Sequence, residues 1–471
     1  MNDRMKIGII DSGIDEKVIE KGRMSKEYFF ALDNILENNY TNNNIKDLRH
    51  GTICALVIEK YCSNCCFLSI RLLNSNGRGS VDRIESSFEA CIINDVKLVN
   101  VSLGTTCFQD KNKIRRAINH YSNKGLIFIA ATSNDGKTTY PASFSNVIGV
   151  TVGEDVKVDK NIQLQKGIDF IAPSDHEIAI NGVSFRLGNS NSYAAPFVTS
   201  IIANLINEKG TLTIDEIRKH LCGNGSKFIY SPDWIESAWI TPDYRKSNAD
   251  FYFNVEHRSL QECIDNIDTI VVSNNKEIDK YVDLGKHIVY IGNDKVSRSN
   301  KKHHFWSREL RHEQIISSKE RPGEVDIPSI CCIFDNQVDI IWCLCVLKEL
   351  FENEGYNAFV GCDLVDSVLY DLEYLPDGDT IQEKLADFVY WQTYYQQSDI
   401  ILVGKTDKDN NVIIVDKTDM TVYFNLEKNG IAVKMLCDGE AGEIKYYTKL
   451  DFGSITKIYG DIIGSFEKED E

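Results

Sequence analysis

The sequence predicts an α/β protein, with a doubly wound and mostly parallel sheet followed by a second α/β domain. Up to about residue 210, short apolar stretches alternate with helical stretches, which is the βαβ pattern of a parallel sheet covered on both faces. A turn-rich stretch then interrupts the pattern, and the alternation resumes after it. The length of 471 residues likewise favours two or three domains over one.

The elements of the first domain follow from local patterns. Compact apolar runs predict strands, and longer stretches with small or apolar residues at helical spacing predict helices. The last helix has a clear start, because Thr213 and Glu216 have the spacing of a capping box. In chain order, we expect a strand at 6–10, a strand at 66–73 that ends in a turn, a helix at 82–93, a strand at 97–103, a helix at 111–123, a strand at 126–131, and helices at 192–207 and 213–221.

The second domain begins after the turn-rich stretch. The expected boundaries are a first domain at 1–224, a linker at 225–256 and a second domain at 257–471. The same local patterns predict strands at 268–273, 287–292, 330–334, 358–362 and 399–403, with helices at 338–353 and 380–396.

Composition and charge narrow the class of protein. The net charge is −18 and comes entirely from the residues beyond 210, which argues against nucleic acid as a partner. No apolar run reaches the ~18 residues of a membrane span, and the N-terminus lacks the pattern of a signal peptide. We therefore expect a cytoplasmic protein that does not contact a membrane.

The 14 cysteines are scattered and come without an export signal, which favours reduced thiols. Cys62 and Cys65 have the spacing of half a zinc site, but the second half is missing, so we expect buried thiols, no metal and no cofactor.

Three short segments of the first domain carry residues suited to acyl transfer. Asp11 ends a strand in IGIIDSGID, His50 precedes a small-residue helix start in RHGTICALVI, and Ser192 opens an apolar helix in GNSNSYAAPFVTS. Acyl transfer needs a nucleophile, a base and an acid that orients the base. Each residue taken alone is more typical of a helix cap or a turn, and only the joint pattern indicates a catalytic site.

These segments resemble the subtilisin-like serine peptidases, or subtilases, whose motifs are D-[ST]-G, H-G-T-H and G-T-S-M-A-A-P. The resemblance covers about residues 5–222 and implies a subtilisin-like fold. It also implies that Asp11 is the orienting acid, His50 the general base and Ser192 the nucleophile.

The same resemblance implies an oxyanion site and a substrate site. FIAATSNDG is similar to the family's A-A-G-N-x-G, so Asn134 would donate to the oxyanion together with the N–H of Ser192. Ser133 stands where the family has glycine, which would narrow the first specificity pocket. Substrate would lie as an extended strand along a segment that we call the substrate edge, namely Ser102, Leu103 and Gly104.

Several positions depart from the family pattern. Ser190 and Asn191 replace Gly-Thr before the nucleophile, and Tyr193 replaces Met after it. None of these changes removes a reacting group, but they put the substrate preference in doubt. Asp11 lies so near the N-terminus that we expect no inhibitory prodomain, which is typical of an intracellular processing enzyme.

The second domain resembles P-loop proteins of peptide-maturation systems. The loop at 335–342, DNQVDIIW, follows a predicted strand but contains neither Gly nor Lys, so it is unsuited to hold a phosphate. We expect a degenerate fold reused for binding or for forming a homo-oligomer, with a nucleotide-dependent switch as an open alternative.

The functional hypothesis is an intracellular serine endopeptidase that processes a peptide or protein precursor, such as the leader of a bacteriocin-like, ribosomally made peptide. Two alternatives remain open. One is a general cytosolic turnover protease, and the other is a non-catalytic subtilase-fold scaffold.

Overall fold

The computed structural model of the protein describes residues 4–30, 48–154, 168–222, 231–296, 303–318, 326–376, 381–406, 418–437 and 440–466. The chain divides into two compact units. The first comprises Met1–Glu236 with Lys301–His304, and the second comprises Ser237–Asn300 with Phe305–Glu471. Residues 225–230 of the expected linker lie outside the described residues.

The first unit is built on nine strands and five helices within its described residues. In chain order these are β1 Met5–Asp11, β2 Met24–Phe29, α1 His50–Tyr61, β3 Cys65–Arg71, α2 Ile84–Ile93, β4 Leu98–Val101, α3 Phe108–Asn123, β5 Ile127–Ala131, β6 Val147–Val152, β7 Phe170–Ala172, β8 Glu177–Ile180, β9 Val183–Arg186, α4 Asn191–Lys209 and α5 Ile214–Cys222.

Seven of these strands form one sheet in the order β2-β3-β1-β4-β5-β6-β7, and every neighbouring pair is parallel. Apolar residues of α1, α4 and α5 pack on one face of the sheet, and those of α2 and α3 pack on the other. Buried strands of this kind read as continuous apolar runs, which is why the sequence pattern locates them. The predicted doubly wound, mostly parallel fold is confirmed for this unit.

Two strands of the first unit lie outside the sheet. β8 and β9 pair as an antiparallel hairpin, joined by Asn181 and Gly182. Both turn residues have positive φ, 50° and 80°, which is the conformation of a two-residue hairpin turn and the reason that Asn-Gly suits it. This hairpin was not predicted from the sequence, because only two of the eight residues in its strands are buried and the apolar pattern is weak.

The second unit holds two sheets. The described elements are β10 Ser237–Ile240, β11 Asn254–Glu256, α6 Leu260–Cys263, β12 Thr269–Val272, α7 Ile278–Val282, β13 His287–Tyr290, β14 Phe305–Trp306, α8 Arg308–Ile316, β15 Ser329–Phe334, α9 Ile340–Asn353, β16 Ala358–Cys362, β17 Glu373–Tyr374, α10 Gln382–Gln396, β18 Ile400–Thr406, β19 Met420–Glu427, β20 Gly430–Cys437, β21 Glu440–Ala441, β22 Lys445–Tyr447 and α11 Phe452–Phe466.

The smaller sheet is parallel, in the order β11-β10-β12-β13-β14. The larger sheet runs β17-β16-β18-β15-β19 with parallel pairs, and antiparallel β20 then pairs with β19, β21 and β22. The stretch expected to be a linker contributes β10 and β11 to the smaller sheet. Its turn-rich composition masks these strands, which are four and three residues long.

The loop between β15 and α9 ends in a side-chain carboxylate. Asp339 caps α9, since its Oδ1 accepts from the N–H of Trp342 at 3.1 Å and from Ser247 Oγ at 2.7 Å. Its Oδ2 accepts from the N–H and the side-chain amide of Asn248 at 2.8 and 2.9 Å. A carboxylate therefore occupies the helix N-terminus at which a phosphate-binding loop would hold its anion. The degenerate P-loop fold itself stays a prediction.

Within the described ranges, none of the helices is both long enough and apolar enough to cross a membrane.

Candidate active site

The Asp–His pair of the site joins the end of β1 to the start of α1. Asp11 is the last residue of β1 and is fully buried, and His50 is the first residue of α1. His50 Nδ1 donates to Asp11 Oδ2 at 2.8 Å, while Asp11 Oδ1 accepts from the N–H of Ser12 at 2.6 Å. The carboxylate therefore fixes the His50 ring with its proton on Nδ1, which leaves Nε2 available as a base.

The glycine after His50 lets α1 approach the turn that follows Asp11. A Cβ atom at Gly51 would lie 2.7 Å from the carbonyl oxygen of Gly13 and 3.0 Å from Asp11 Cβ. Thr52 Oγ1 accepts from the N–H of Asp15 at 2.9 Å and so ties the helix to the same turn. The Gly and Thr of the His-Gly-Thr triplet thus serve packing, because they hold the start of α1 against the turn after Asp11.

Ser192 lies in the first turn of α4, after the N-cap residue Ser190. Pro196, four residues on, lacks the N–H that would otherwise bond the carbonyl oxygen of Ser192. The Cys54 thiol donates to this oxygen instead, with 3.6 Å between Sγ and O. A side chain of α1 therefore satisfies the main chain at the nucleophile.

The three predicted residues of the triad are arranged around Cys54. Its Sγ atom lies 3.8 Å from His50 Nδ1, 3.9 Å from Asp11 Oδ2 and 3.6 Å from the carbonyl oxygen of Ser192. Tyr193 stacks on the His50 ring, with 5.6 Å between ring centroids and 24° between their planes. Of the hydrogen bonds among described residues, none joins Ser192 Oγ to His50. Catalytic contacts often tighten only when substrate binds.

The charge around His50 favours its protonated form. Burial lowers the pKa of His50, but the Coulombic influence of Cys54 and of Asp11, together with the hydrogen bonds of His50 to both, raises this pKa above its usual range. The raising effects are the larger ones. The imidazolium that forms when His50 takes a proton is therefore stabilised in place.

Asn134 lies beside the start of α4. Its Oδ1 accepts from the N–H of Asn191 at 3.1 Å, which leaves the amide Nδ2 as a donor. The N–H of Ser192, the second predicted donor to an oxyanion, donates to Ser190 Oγ at the long distance of 3.3 Å. Asn134 itself is exposed. The structure thus places the predicted side-chain donor against the residue that precedes Ser192, the predicted nucleophile.

The substrate edge follows directly after β4. Ser102 is buried, and its Oγ accepts from Asn100 Nδ2 at 2.7 Å, whereas Leu103 is half-buried and Gly104 is exposed. Among the described residues, no main-chain hydrogen bond uses Leu103 or Gly104. An extended peptide therefore finds unpaired main-chain groups along this edge.

The space next to the substrate edge is limited. Thr105 and Tyr140 exchange two main-chain hydrogen bonds of 3.0 and 2.9 Å, and a Cβ atom at Gly104 would lie 2.4 Å from Thr139 Cγ2. Ser133 is half-buried, and its Oγ accepts from the N–H of Asp135 at 3.2 Å. A role for Ser133 in narrowing the specificity pocket remains a prediction.

The only side chains of the described part that could together hold a metal ion are Asp11, His50 and Cys54, whose donor atoms lie within 4.8 Å of one another. They are an oxygen, a nitrogen and a sulfur donor, a set that zinc accepts. Two of these residues are the predicted acid and base, so a bound ion would take them out of acid–base chemistry.

Three features together are typical of a serine-peptidase site in an α/β protein. They are the doubly wound sheet, the buried Asp–His pair and the serine at the start of a helix. The model of the subtilase family matches residues 2–227, which is a little under half of the chain. This N-terminal part of the protein is therefore similar to the subtilase family, of subtilisin-like serine proteases.

Known proteins similar to the chain are proteases. The thermophilic serine proteinase of Bacillus sp. (strain AK1) is 26% identical over 245 residues, 48% of this chain and 59% of the relative. The minor extracellular protease Epr of Bacillus subtilis (strain 168) is 25% identical over 237 residues, 47% of this chain and 35% of the relative. The chain thus spans less than two thirds of either relative.

Among solved structures, a cold adapted subtilisin-like serine proteinase is similar, with a TM-score of 0.36 and 20% identity over 45% of this chain and 79% of that protein.

Sequence reasoning missed two residues of the site. Cys54 was given no part in the chemistry, and Asn191 was noted only as a departure from the family motif. Both are fully or almost fully buried and both make polar contacts to residues distant in the chain. The signal that could have identified them is their position, since each stands inside a motif that otherwise carries the chemistry.

Proposed function

We propose that this protein is a serine endopeptidase that uses Asp11, His50, Ser192 and Asn134. The observation that carries the proposal is the 2.8 Å hydrogen bond between His50 and buried Asp11, beside a serine at the start of α4. The match of residues 2–227 to the model of the subtilase family supports it. The activity of the whole chain remains a proposal, since it spans only part of its relatives.

The reaction proceeds in two halves. His50 Nε2 takes the proton of Ser192 Oγ as this oxygen bonds to the carbonyl carbon of the substrate. The oxyanion that forms accepts hydrogen bonds from Asn134 Nδ2 and the N–H of Ser192. The proton on His50 passes to the leaving amine as the C–N bond breaks. Water then attacks the acyl-enzyme, His50 takes its proton, and Ser192 Oγ regains a proton when the acid is released.

We propose a peptide or protein precursor as the substrate, such as the leader of a bacteriocin-like, ribosomally made peptide. The limited space beside the substrate edge supports a selective enzyme, because the Thr105–Tyr140 pairing and Thr139 restrict what can lie there. The acidic charge beyond residue 210 suits a basic leader. We place the enzyme in the cytoplasm, and its 14 free cysteines support a reducing compartment.

The test begins with fluorophosphonate labelling of the full chain, with Ser192→Ala and Asn134→Ala as matched variants. We expect labelling of the wild type, no labelling of Ser192→Ala, and slow labelling of Asn134→Ala because the oxyanion donor is lost. A wild type that is never labelled, even with precursor present, contradicts the peptidase and favours the non-catalytic scaffold.

A second experiment separates processing from turnover. Casein and a precursor encoded beside the protein are digested in parallel by the wild type. We expect the precursor to be cut at one position while casein remains intact. Degradation of both at similar rates identifies a general turnover protease instead.

A further inference from the structure

Asn191 stands between the N-cap of α4 and Ser192, and only 3% of its surface is exposed. We propose that Asn191 is a positioning residue, which holds the segment 132–134, here called the oxyanion loop, against the start of α4. It thereby sets where the Asn134 amide lies relative to Ser192. This inference rests on the proposed peptidase function and assigns a role to a residue that the sequence motifs mark only as a departure.

The side-chain amide of Asn191 donates to the oxyanion loop. Nδ2 lies 2.8 Å from the carbonyl oxygen of Ser133, 3.2 Å from that of Thr132 and 3.1 Å from Thr132 Oγ1. Two N–H groups are thus shared among three oxygens of the loop. These three oxygens belong to Thr132 and Ser133, the two residues that directly precede Asn134. Their position therefore determines where the main chain of Asn134 lies.

The other atoms of Asn191 anchor it on two further elements. Its Oδ1 accepts from the N–H of Val152 at 2.8 Å and from Thr151 Oγ1 at 3.3 Å, both at the end of β6. Its own N–H donates to Asn134 Oδ1 at 3.1 Å. One residue therefore joins β6, the oxyanion loop and α4, and the last bond orients the Asn134 amide with its Nδ2 turned away from Asn191.

Only a carboxamide of this length satisfies all of these partners. Aspartate has the same shape but no donor, and its charge would face the carbonyl oxygens of Thr132 and Ser133 in a buried site. Leucine has similar size but neither donor nor acceptor. Since the oxyanion is absent from the bound substrate and develops only in the transition state and the tetrahedral intermediate, losing the position of Asn134 lowers kcat and leaves KM nearly unchanged.

The kinetic test uses the wild type, Asn191→Asp, Asn191→Leu, Asn134→Ala and the double variant Asn191→Leu/Asn134→Ala. We expect the Asn191 variants to lose ~10- to 10³-fold in kcat, at most the loss found when an oxyanion donor itself is removed. If Asn191 acts through Asn134, adding Asn191→Leu to Asn134→Ala changes kcat by less than about threefold. Multiplicative losses in the double variant overturn the inference.

Asn119→Asp is the matched control. Asn119 is also a buried asparagine that donates to main-chain carbonyl oxygens, those of Asp233 and Ile235, at 2.8 and 3.3 Å. We expect this variant to lower the melting temperature with kcat unchanged. If kcat falls equally in Asn119→Asp and Asn191→Asp at equal loss of stability, the effect is structural and the inference is wrong.

A second measurement is independent of activity. Hydrogen–deuterium exchange of the folded protein reports the protection of main-chain amides at residues 132–136. We expect faster exchange there in both Asn191 variants but not in Asn119→Asp. If exchange at these amides is the same in the Asn191 variants as in the wild type, the positioning role is overturned, even for an inactive wild type. If the variants exchange faster but the wild type is inactive, only the proposed function is contradicted.

Discussion

The Sγ atom of Cys54 lies 3.8 Å from Nδ1 of His50, beside the hydrogen bond that joins this histidine to Asp11. The thiol is fully buried and also contacts Ser102 Oγ at 3.4 Å and the carbonyl oxygen of Ser192 at 3.6 Å. A single polarisable side chain thus contacts the predicted acid, base, nucleophile and substrate edge. Changes at Cys54 should therefore alter the site without removing a reacting group.

The first prediction concerns pH. The base is active only when neutral, so kcat/KM is fully developed above the pKa of His50 and is lost as the pH falls through it. Since nearby negative charge raises this pKa, the midpoint of the acid limb should lie above 6.5. Cys54→Ser keeps a hydrogen-bond donor but removes the sulfur that helps to raise the pKa of His50, and we expect the midpoint to move to lower pH. A midpoint that stays the same in the pH–rate profile rules out the influence of the thiol.

The second prediction concerns the orienting acid. Asp11→Asn keeps the size of the side chain but lets an amide N–H face His50, which favours the wrong tautomer. We expect kcat to fall by about 10⁴-fold with little change in the melting temperature. Asp15→Asn, in the same turn, is the control and should retain activity. Comparable losses in both variants would mean that the turn, and not the carboxylate at Asp11, is what matters.

The third prediction concerns the specificity pocket. If Ser133 narrows the pocket, Ser133→Gly removes its hydroxymethyl group and admits a larger side chain before the cleaved bond. We expect kcat/KM for a peptide with leucine there to rise ~10-fold relative to the same peptide with alanine. A panel of fluorogenic peptides measures this ratio, and a ratio equal to that of the wild type places Ser133 outside the pocket.

The fourth prediction concerns a buried ion pair between a residue of α5 and the residue that precedes β7. Arg218 forms two hydrogen bonds of 3.1 Å to Asp169 and also donates to the carbonyl oxygens of Ser145 and Val147, and the Arg218 and Asp169 side chains are 1% exposed. Arg218→Leu leaves a buried carboxylate without its main charge partner and should lower the free energy of unfolding by about 3–5 kcal/mol. Urea denaturation measures this loss, and one below about 1 kcal/mol would contradict a structural role for the pair.

The fifth prediction concerns the start of α9. Asp339 already bonds the N–H of Trp342, and its charge repels phosphate, so ATP and GTP should leave the melting temperature unchanged. Asp339→Ala should lower the free energy of unfolding by about 1–2 kcal/mol, because the helix loses its cap. A nucleotide-induced rise in the melting temperature of the wild type would restore the alternative of a nucleotide-dependent switch.

Much of the first unit was predictable from local sequence. The strand expected at 6–10 is β1, Met5–Asp11, and the helix expected at 192–207 is α4, Asn191–Lys209. Both are long or strongly apolar elements buried in one core, so their pattern is local and clear. Strand β2 and the strands β8 to β11 escaped prediction, since few of their residues are buried and they form no continuous apolar run.

The segments with Asp11, His50 and Ser192 were equally predictable from the sequence, because each is a contiguous motif in which chemistry and packing need the same residues. The sequence by itself therefore determined the class of fold, the family resemblance and the candidate triad. It did so through local apolar patterns and short motifs, which do not depend on distant partners.

The tertiary structure alone decided what Cys54 and Asn191 contact. Asn191 bonds residues 39 to 59 positions earlier in the chain, and Cys54 reaches the carbonyl oxygen of Ser192, 138 positions later. No local pattern records such pairs, since the ends of β1 and β6 and the starts of α1 and α4 meet only when the parallel sheet is assembled. Hydrogen bonds across that edge, made where water is excluded, give these two side chains their roles.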